Sequence, residues 1–440
     1  MPVKKRALIL LCGGLAVCLH AAAQESTSRP IQLTADSAVE YAVRGNISLK
    51  KSEISLQAAK RARNYSWNSV SPSLSSSASL RKTLPEKDSG TAAAAASNAA
   101  NLTLGASINI GLSPSLYTSI RGAVLSYEKQ QLDYAAAVRT IELNVRKAFY
   151  SILYEQENVA LRKNSADSAQ KQYASNLAKY NRGLLPRLDV LNSQISYQNA
   201  RLALENAQTT LLNDMATFKQ MLGLPQDTEL SVSGSLDAVL DLPELDIAAV
   251  QKNSSTISSL EKQLAIARNN LLAARLNAYA PSLSAGYSYS FARALEENSE
   301  WTHGGTLSLG LTLPLDGILP WSKSAQGIAT QKDSIRTLQL ELDDAKTTLE
   351  VSTQGYLNKI RQLQAALALQ KSSVDYAKES YALTIEAYNS GTKDHLVLQT
   401  AADNLLQAEV NLKSQAYSLI AALLELENSI GAPFGTFGIK

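Results

Sequence analysis

The stretch YNRGLLPRLDVLNSQ, from Tyr180 to Gln194, returns 208 residues later as YNSGTKDHLVLQTAA, from Tyr388 to Ala402. The correspondence then runs without a gap to GLP (Gly223–Pro225) and GAP (Gly431–Pro433). A chain of 440 residues would ordinarily divide into two or three globular domains, but a spacing held this long marks two copies of one plan. Three Trp and five Phe among many Ala, Leu, Ser, Gln and Asn favour long, thin helix packing over a thick aromatic core. An elongated molecule is expected.

Each half opens with a helical segment that ends at a proline, after which SPSLS (Ser71–Ser75) or APSLS (Ala280–Ser284) changes the period from 3.6 to two. Beyond Pro281, Leu283, Ala285, Tyr287, Tyr289 and Phe291 fall on one face, and Ser282, Ser284, Gly286, Ser288 and Ser290 on the other. Leu307, Leu309, Leu311 and Leu313 form the apolar face of a partner strand, opposite Thr306, Ser308, Gly310 and Thr312. In the first half, Leu102, Leu104, Ala106, Ile108 and Ile110 repeat the device after a Ser-rich strand around Leu74–Leu80. Strands are therefore expected at about 73–82, 101–112, 282–292 and 304–315.

A soluble β-sandwich also alternates. Here, however, the wet face is almost all Ser, Thr, Gly and Asn, and each strand has about the ten-residue length that spans an outer membrane when tilted. Trp301 and Trp321 sit at opposite ends, where interfacial aromatics belong. Four strands cannot close a membrane barrel, for which about eight is the minimum, so the chain must oligomerise; three copies give an allowed total of about twelve.

No proline interrupts Ser115–Arg182, and Tyr134, Val138, Ile141, Val145, Ala148 and Ile152 follow coiled-coil spacing. Leu125, Leu132, Leu143, Phe149 and Leu153 widen the stripe, as for a helix with neighbours on both sides. Ile335, Leu338, Leu342, Ala345, Leu349 and Tyr356 match it between Trp321 and Ser390. At 1.5 Å per residue each helix reaches about 100 Å, enough to cross a periplasm. Gly183 and Gly391 stop these helices, and a second helix returns with Leu188, Leu191, Ile195 and Leu202 on one face. The repeated stretch thus marks two hairpin tips remote from the membrane.

The leader carries Lys4, Lys5 and Arg6, an apolar run from Ala7 to Leu19, and small residues Ala21, Ala22 and Ala23. This reads as a signal peptide over 1–23, since about 20 apolar residues are needed to cross a bilayer. Both cysteines, Cys12 and Cys18, lie within it, so the mature chain offers no disulfide, thiol nucleophile or Cys-metal site. Lipidation of Cys18 is disfavoured because Val17 is a poor residue before an acylated cysteine. Without the three leader cations, the 42 basic residues fall level with the 39 acidic ones, leaving no electrostatic footprint for nucleic acid. The division that follows is a first repeat over 24–226 with its tip near 180–188, a linker over 227–246, and a second repeat over 247–440 with its tip near 388–396. The linker has room for a short strand or packed collar, and Thr91–Ala100 reads as an extracellular loop.

An enzyme is the first competing class. The mature histidines, His303 and His395, are expected at opposite ends, and no phosphate loop, Ser-His-Asp spacing or metal cluster is evident, so no catalytic, metal or cofactor residue is assigned. His395 beside Asp394 reads as an exposed tip residue. An adhesive or structural coiled-coil protein, the second class, accounts for the heptads but not for the return hairpins or amphipathic strands. Met215 and Met221 alone are too few for a soft-metal relay.

Export signal, duplicated helix-strand-strand-helix plan, PSLS strand openings and tip glycines together resemble the TolC-like outer-membrane efflux proteins. The resemblance covers the mature chain and implies a mostly α fold: a trimeric 12-stranded β-barrel in the outer membrane, continued by a periplasmic α-helical barrel of coiled-coil hairpins. It implies an exit duct for a tripartite efflux pump or type I secretion system, without cofactors, whose partners are a periplasmic adaptor, an inner-membrane pump and outer-membrane lipid. By position, Arg182, Gly183 and Leu184 with Ser390, Gly391 and Thr392 resemble adaptor-gripping tips, although Arg182 and Ser390 stand where the family usually has a small apolar residue. Asp189 and Lys393 match a closed-state latch, with Lys giving a point charge in place of an arginine fork. The family's acidic constriction ring falls on Val397 and Thr400, which leaves neighbouring Asp394 as the substitute.

Overall fold

The computed structural model describes residues 31–82, 100–237, 254–296 and 298–437. The leader with Cys12 and Cys18, most of the loop read at 91–100 and the second half of the linker lie outside them. In chain order the elements are β1 (Ile31–Leu33), α1 (Ala35–Gly45), α2 (Ile47–Asn64), β2 (Ser73–Lys82), β3 (Ala100–Leu112), α3 (Ser115–Asn181), α4 (Arg187–Leu222), β4 (Leu230–Val232), α5 (Ser255–Tyr279), β5 (Ser282–Ala294), β6 (Thr302–Thr312), α6 (Lys323–Asn389) and α7 (His395–Ile430).

Alternation in the sequence becomes a four-stranded antiparallel sheet in the order β2-β3-β5-β6. Its register lines up Leu74, Ile108, Tyr287 and Leu307 on one face, and Ser75, Ser107, Ser288 and Thr306 on the other. The polar face is knitted by hydroxyls, as between Ser75 Oγ and Ser107 Oγ at 2.9 Å. Leu307, Leu309 and Leu311 stand open at 80%, 76% and 74% exposure, so the apolar face has no cover among the described residues. β6 stops at Thr312, short of the expected 315, because Pro314 has no N–H to give the ladder. Edges β2 and β6 each keep one unpaired side.

Both halves build the same helical plan. α3 and α6 have 67 residues each, and the returning α4 and α7 have 36 each. α4 covers only part of α3, and α2 packs on it as well; α5 and α7 do the same for α6. The opening helical segment of the first half is broken, however, into α1 and α2 at Asn46. Its Oδ1 accepts from the N–H groups of Ser48 and Leu49 at 2.9 and 3.3 Å, while Nδ2 donates to Met221 O at 2.9 Å. One side chain therefore caps a helix and ties it to α4. Gly45 beside it packs directly on the backbone of Leu222 and Gly223, leaving no room for a Cβ.

The core belts the middle of the long helices. Val145, Phe149, Ile152 and Leu153 of α3 meet Leu419, Ile420, Leu423 and Leu424 of α7, with Leu33, Ala38, Phe218, Leu222 and Leu236 closing around them. Within the segment read as a linker, β4 pairs in parallel with β1, bringing the start of the described chain beside the junction of the halves. At 1.5 Å per residue, Val145 lies about 45 Å along α3 from the sheet.

A polar clasp holds the C-terminal end to this belt. Glu427 is fully buried, and its carboxylate accepts the N–H groups of Gly435 and Phe437, each at 3.0 Å. Burial pushes its pKa above the ordinary carboxylate value, and the tail N–H groups partly counter that. Arg139 donates to Glu427 O at 2.7 Å, to Asn428 Oδ1 at 3.2 Å and to Ala432 O, with its guanidinium 4.9 Å from the centre of the Phe434 ring. Arg139→Ala strips these acceptors of their donor and is expected to cost about 1–3 kcal/mol. Earlier heat unfolding and faster carboxypeptidase trimming of residues 431–437 are the readouts; Arg139→Lys should recover only part, because it lacks the fork.

Candidate functional site: the hairpin tips

Both tips are built by the same local chemistry. Gly183 and Gly391 each adopt φ 76°, where a side chain would be strained. Gly183 N–H donates to Tyr180 O at 2.8 Å and Leu184 N–H to Lys179 O at 2.9 Å; Gly391 N–H donates to Tyr388 O at 3.0 Å and Thr392 N–H to Ala387 O at 2.9 Å. These paired bonds end both helices in the same motif and satisfy carbonyls left over by the last turn. Arg182, Gly183, Leu184, Ser390, Gly391 and Thr392 are all exposed.

The turns then diverge. The first enters α4 through Pro186 with no side-chain cap, whereas Asp394 caps α7 by accepting Val397 N–H at 3.0 Å. Asp189 is half-buried on α4 and Lys393 is exposed, and the two form no ion pair within the chain.

Hydrogen bonds between uncharged side chains and one cation–ring contact join the two hairpins instead. Tyr388 OH donates to Asn176 Oδ1 at 2.8 Å, with Gln172 Nε2 donating to the same oxygen at 3.0 Å. Lys179 Nζ lies 5.3 Å from the centre of the Tyr388 ring, and Ser196 Oγ donates to Gln399 Oε1 at 2.8 Å. Tyr388 is buried while Tyr180, its counterpart in the repeated motif, is exposed. The duplication therefore has one inward and one outward tyrosine.

His395 corrects the sequence reading. It is buried at 7% exposure, its ring edge-on to Tyr388 with centroids 6.2 Å apart, and neither nitrogen has a partner among the described residues. Asp394 occupies the cap, so His395 is the first helical residue and turns under the tip. Asn176, fully buried, likewise has an unpartnered Nδ2. Above them, a cavity of about 610 Å³ separates α3 and α4 from α6 and α7, with His395, Ser193 and Gln172 among its lining. Tyr388 carried a signal in the repeat; Asn176, Ser193 and Gln399 carried none, since nothing local distinguishes a bridging Asn or Gln from a solvated one.

The outer membrane efflux protein model matches residues 39–224 and again 246–432, one match to each half. The chain belongs to the outer membrane efflux protein family. It is an outer-membrane efflux channel protein extending into the periplasm, of a transport family rather than an enzyme family. It is 21% identical over 324 residues to outer membrane protein TolC of Vibrio cholerae serotype O1, covering 72% of this chain and 73% of that one. Its fold matches the Campylobacter jejuni CmeC outer membrane channel with a TM-score of 0.73 at 18% identity, over 90% of this chain and 85% of that one. The open state of the Neisseria gonorrhoeae MtrE outer membrane channel gives a TM-score of 0.68 at 16% identity, over 90% and 89%. No helix among the described residues of the efflux protein is long and apolar enough to cross a membrane.

Burial holds the His395 pKa below its ordinary value of 6.5, with Asp189 and Asp394 acting in the opposite direction. Since the packed tip favours the neutral ring, acid weakens it: as pH falls through the ordinary imidazole range, loosened states take up a proton that the packed state excludes. Amide exchange over residues 380–398, corrected for its intrinsic pH dependence, should accelerate severalfold between about pH 7.5 and 5.5. His395→Met should flatten that response; an equal response in both proteins would remove the imidazole from the account.

Proposed function

We propose that three copies of the mature chain, freed of residues 1–23, assemble one exit duct across the outer membrane and periplasm. The supporting observation is the four-stranded sheet with two open edges and an uncovered apolar face. Backbone N–H and C=O groups at such edges cost several kcal/mol each in hydrocarbon unless paired, and joining β6 of one copy to β2 of the next pairs them all. Leu188, Leu191, Ile195 and Leu202 on α4 are also exposed, an apolar stripe available to a neighbouring copy.

In this reading the tips are the entrance. Arg182, Gly183 and Leu184 with Ser390, Gly391 and Thr392 form the docking surface for a periplasmic adaptor that couples the duct to an inner-membrane pump. Asp189 and Lys393, unpaired among the described residues, latch neighbouring copies together, and Asp394, repeated around the three-fold axis, narrows the entrance. An exposed pair contributes about 0–1 kcal/mol, so three pairs make a modest closure that docking can overcome.

Conductance of the purified protein in planar bilayers tests the duct and the latch together. Small, flickering steps are expected from the wild type, and steps severalfold larger after Asp189→Ala with Lys393→Ala. Full conductance in both would keep the duct and discard the latch. Verified insertion of a trimer that passes no current in either form would overturn the duct in favour of a scaffold.

A further inference from the structure

We propose that the end of the sheet remote from the helices carries, on its outward face, a binding surface for lipid headgroups whose phosphate leaves them with net negative charge. This rests on the reading of that apolar face as the one in contact with the bilayer.

Charge is distributed unevenly in the sheet. Its four strands contain Arg81, Lys82 and Arg293 and no Asp or Glu, and all three cations lie at the end away from the helices. Register decides which way they face. Leu80 pairs with Leu102 and Leu102 with Arg293, so Arg293 continues the apolar row outward; Lys82 is two residues beyond Leu80 on the same face, and Arg81 is on the polar one. Phe291 pairs with His303, and continuing that ladder by two residues brings Trp301 level with Arg293. The His303 ring is held against Tyr289 and Phe291, with Nδ1 2.8 Å from the Tyr289 hydroxyl. When that hydroxyl donates, Nε2 carries the N–H. Arg293 donates through Nε to Ser299 Oγ at 3.3 Å and forms no ion pair among the described residues. Carboxylates appear only past the strand ends, at Glu296 and Glu300 in the described part of the β5–β6 turn.

The height also fits. Arg293 is ten residues beyond Leu283, the first apolar residue of β5, which is about 34 Å along the strand and about 26 Å along the membrane normal at a tilt of about 40°. An outer-membrane barrel has an apolar band about 25 Å tall, so Arg293 emerges where headgroups begin. Long cationic stems lie along apolar surface and deliver their charge to that level, beside an interfacial Trp. A zwitterionic headgroup balances its phosphate with its own ammonium and gains less from these outward donors than a headgroup of net negative charge. Phosphate gains charge-assisted hydrogen bonds.

The test uses the full-length trimer in detergent, supplied with dioleoyl phosphatidic acid, with dioleoyl phosphatidylcholine, or with inorganic phosphate, and reads retained lipid by native mass spectrometry. Phosphatidic acid should be retained at least fivefold over phosphatidylcholine. Lys82→Gln with Arg293→Gln and His303→Gln should abolish the preference, while Arg81→Gln on the polar face should keep it. If the triple variant does not assemble, Arg293→Gln alone should at least halve the retention. Equal retention of both lipids by the wild type, or an undiminished preference in the variants, would overturn the proposal. Displacement of lipid by millimolar inorganic phosphate would assign a free-anion site in place of a lipid surface. Insertion into vesicles is scored separately, so a protein that inserts without lipid preference fails this inference alone, and one that never inserts fails the reading beneath it.

Discussion

An open sheet edge cannot stay open in hydrocarbon. Water is absent there, and the N–H and C=O groups that point outward from β2 and β6 would be left without partners at several kcal/mol each. The rest of the molecule follows from that constraint. A sheet too small to close on itself calls for neighbours, and in the proposed assembly copies around an axis would enclose a polar lumen lined by Ser, Thr, Gly and Asn. The apolar rows of Leu, Ile, Tyr and Phe face away from that lumen. Each strand pair then feeds a 67-residue helix, so the symmetry set in the membrane is carried down the helices.

Stability is placed away from both working ends. The sheet and the tips have few buried contacts of their own, whereas the belt around Phe149 and Leu423 combines apolar packing with the Arg139–Glu427 clasp. The helices are anchored at mid-length, and buried side chains become sparser along them toward the tip. There the two hairpins touch through Tyr388–Asn176, Ser196–Gln399 and the buried ring of His395. Neutral hydrogen bonds contribute about 0.5–1.5 kcal/mol each, so two of them with an unpartnered imidazole make a joint of only modest strength.

The local grammar of the chain was enough for much of this. Two-residue alternation placed all four strands, although β5 runs two residues past its expected end, β6 begins two residues early, and β6 stops short where Pro314 cuts the ladder. Glycine at the far end of a proline-free heptad run placed both tips, and the positive φ of Gly183 and Gly391 is the physical content of that signal. What alternation could not supply was the company each residue keeps. Asn46 reads as one more polar residue in a helical stretch, yet it breaks the helix because Met221, 175 residues later, accepts from its side chain. His395 reads as exposed beside Asp394, yet it is turned inward once Asp394 takes the cap.

The repeated YNxG shows where the boundary falls. By itself the sequence determined that there are two hairpins, where they turn and which strand faces are apolar, because period, glycine conformation and proline's missing N–H act within a few residues. Only the tertiary structure decided that Tyr388 is buried against Asn176 while Tyr180 is exposed, and that a C-terminal glutamate gathers the tail. Identical local words acquire different roles because burial and hydrogen-bond partnership are settled by whichever distant segment packs against them.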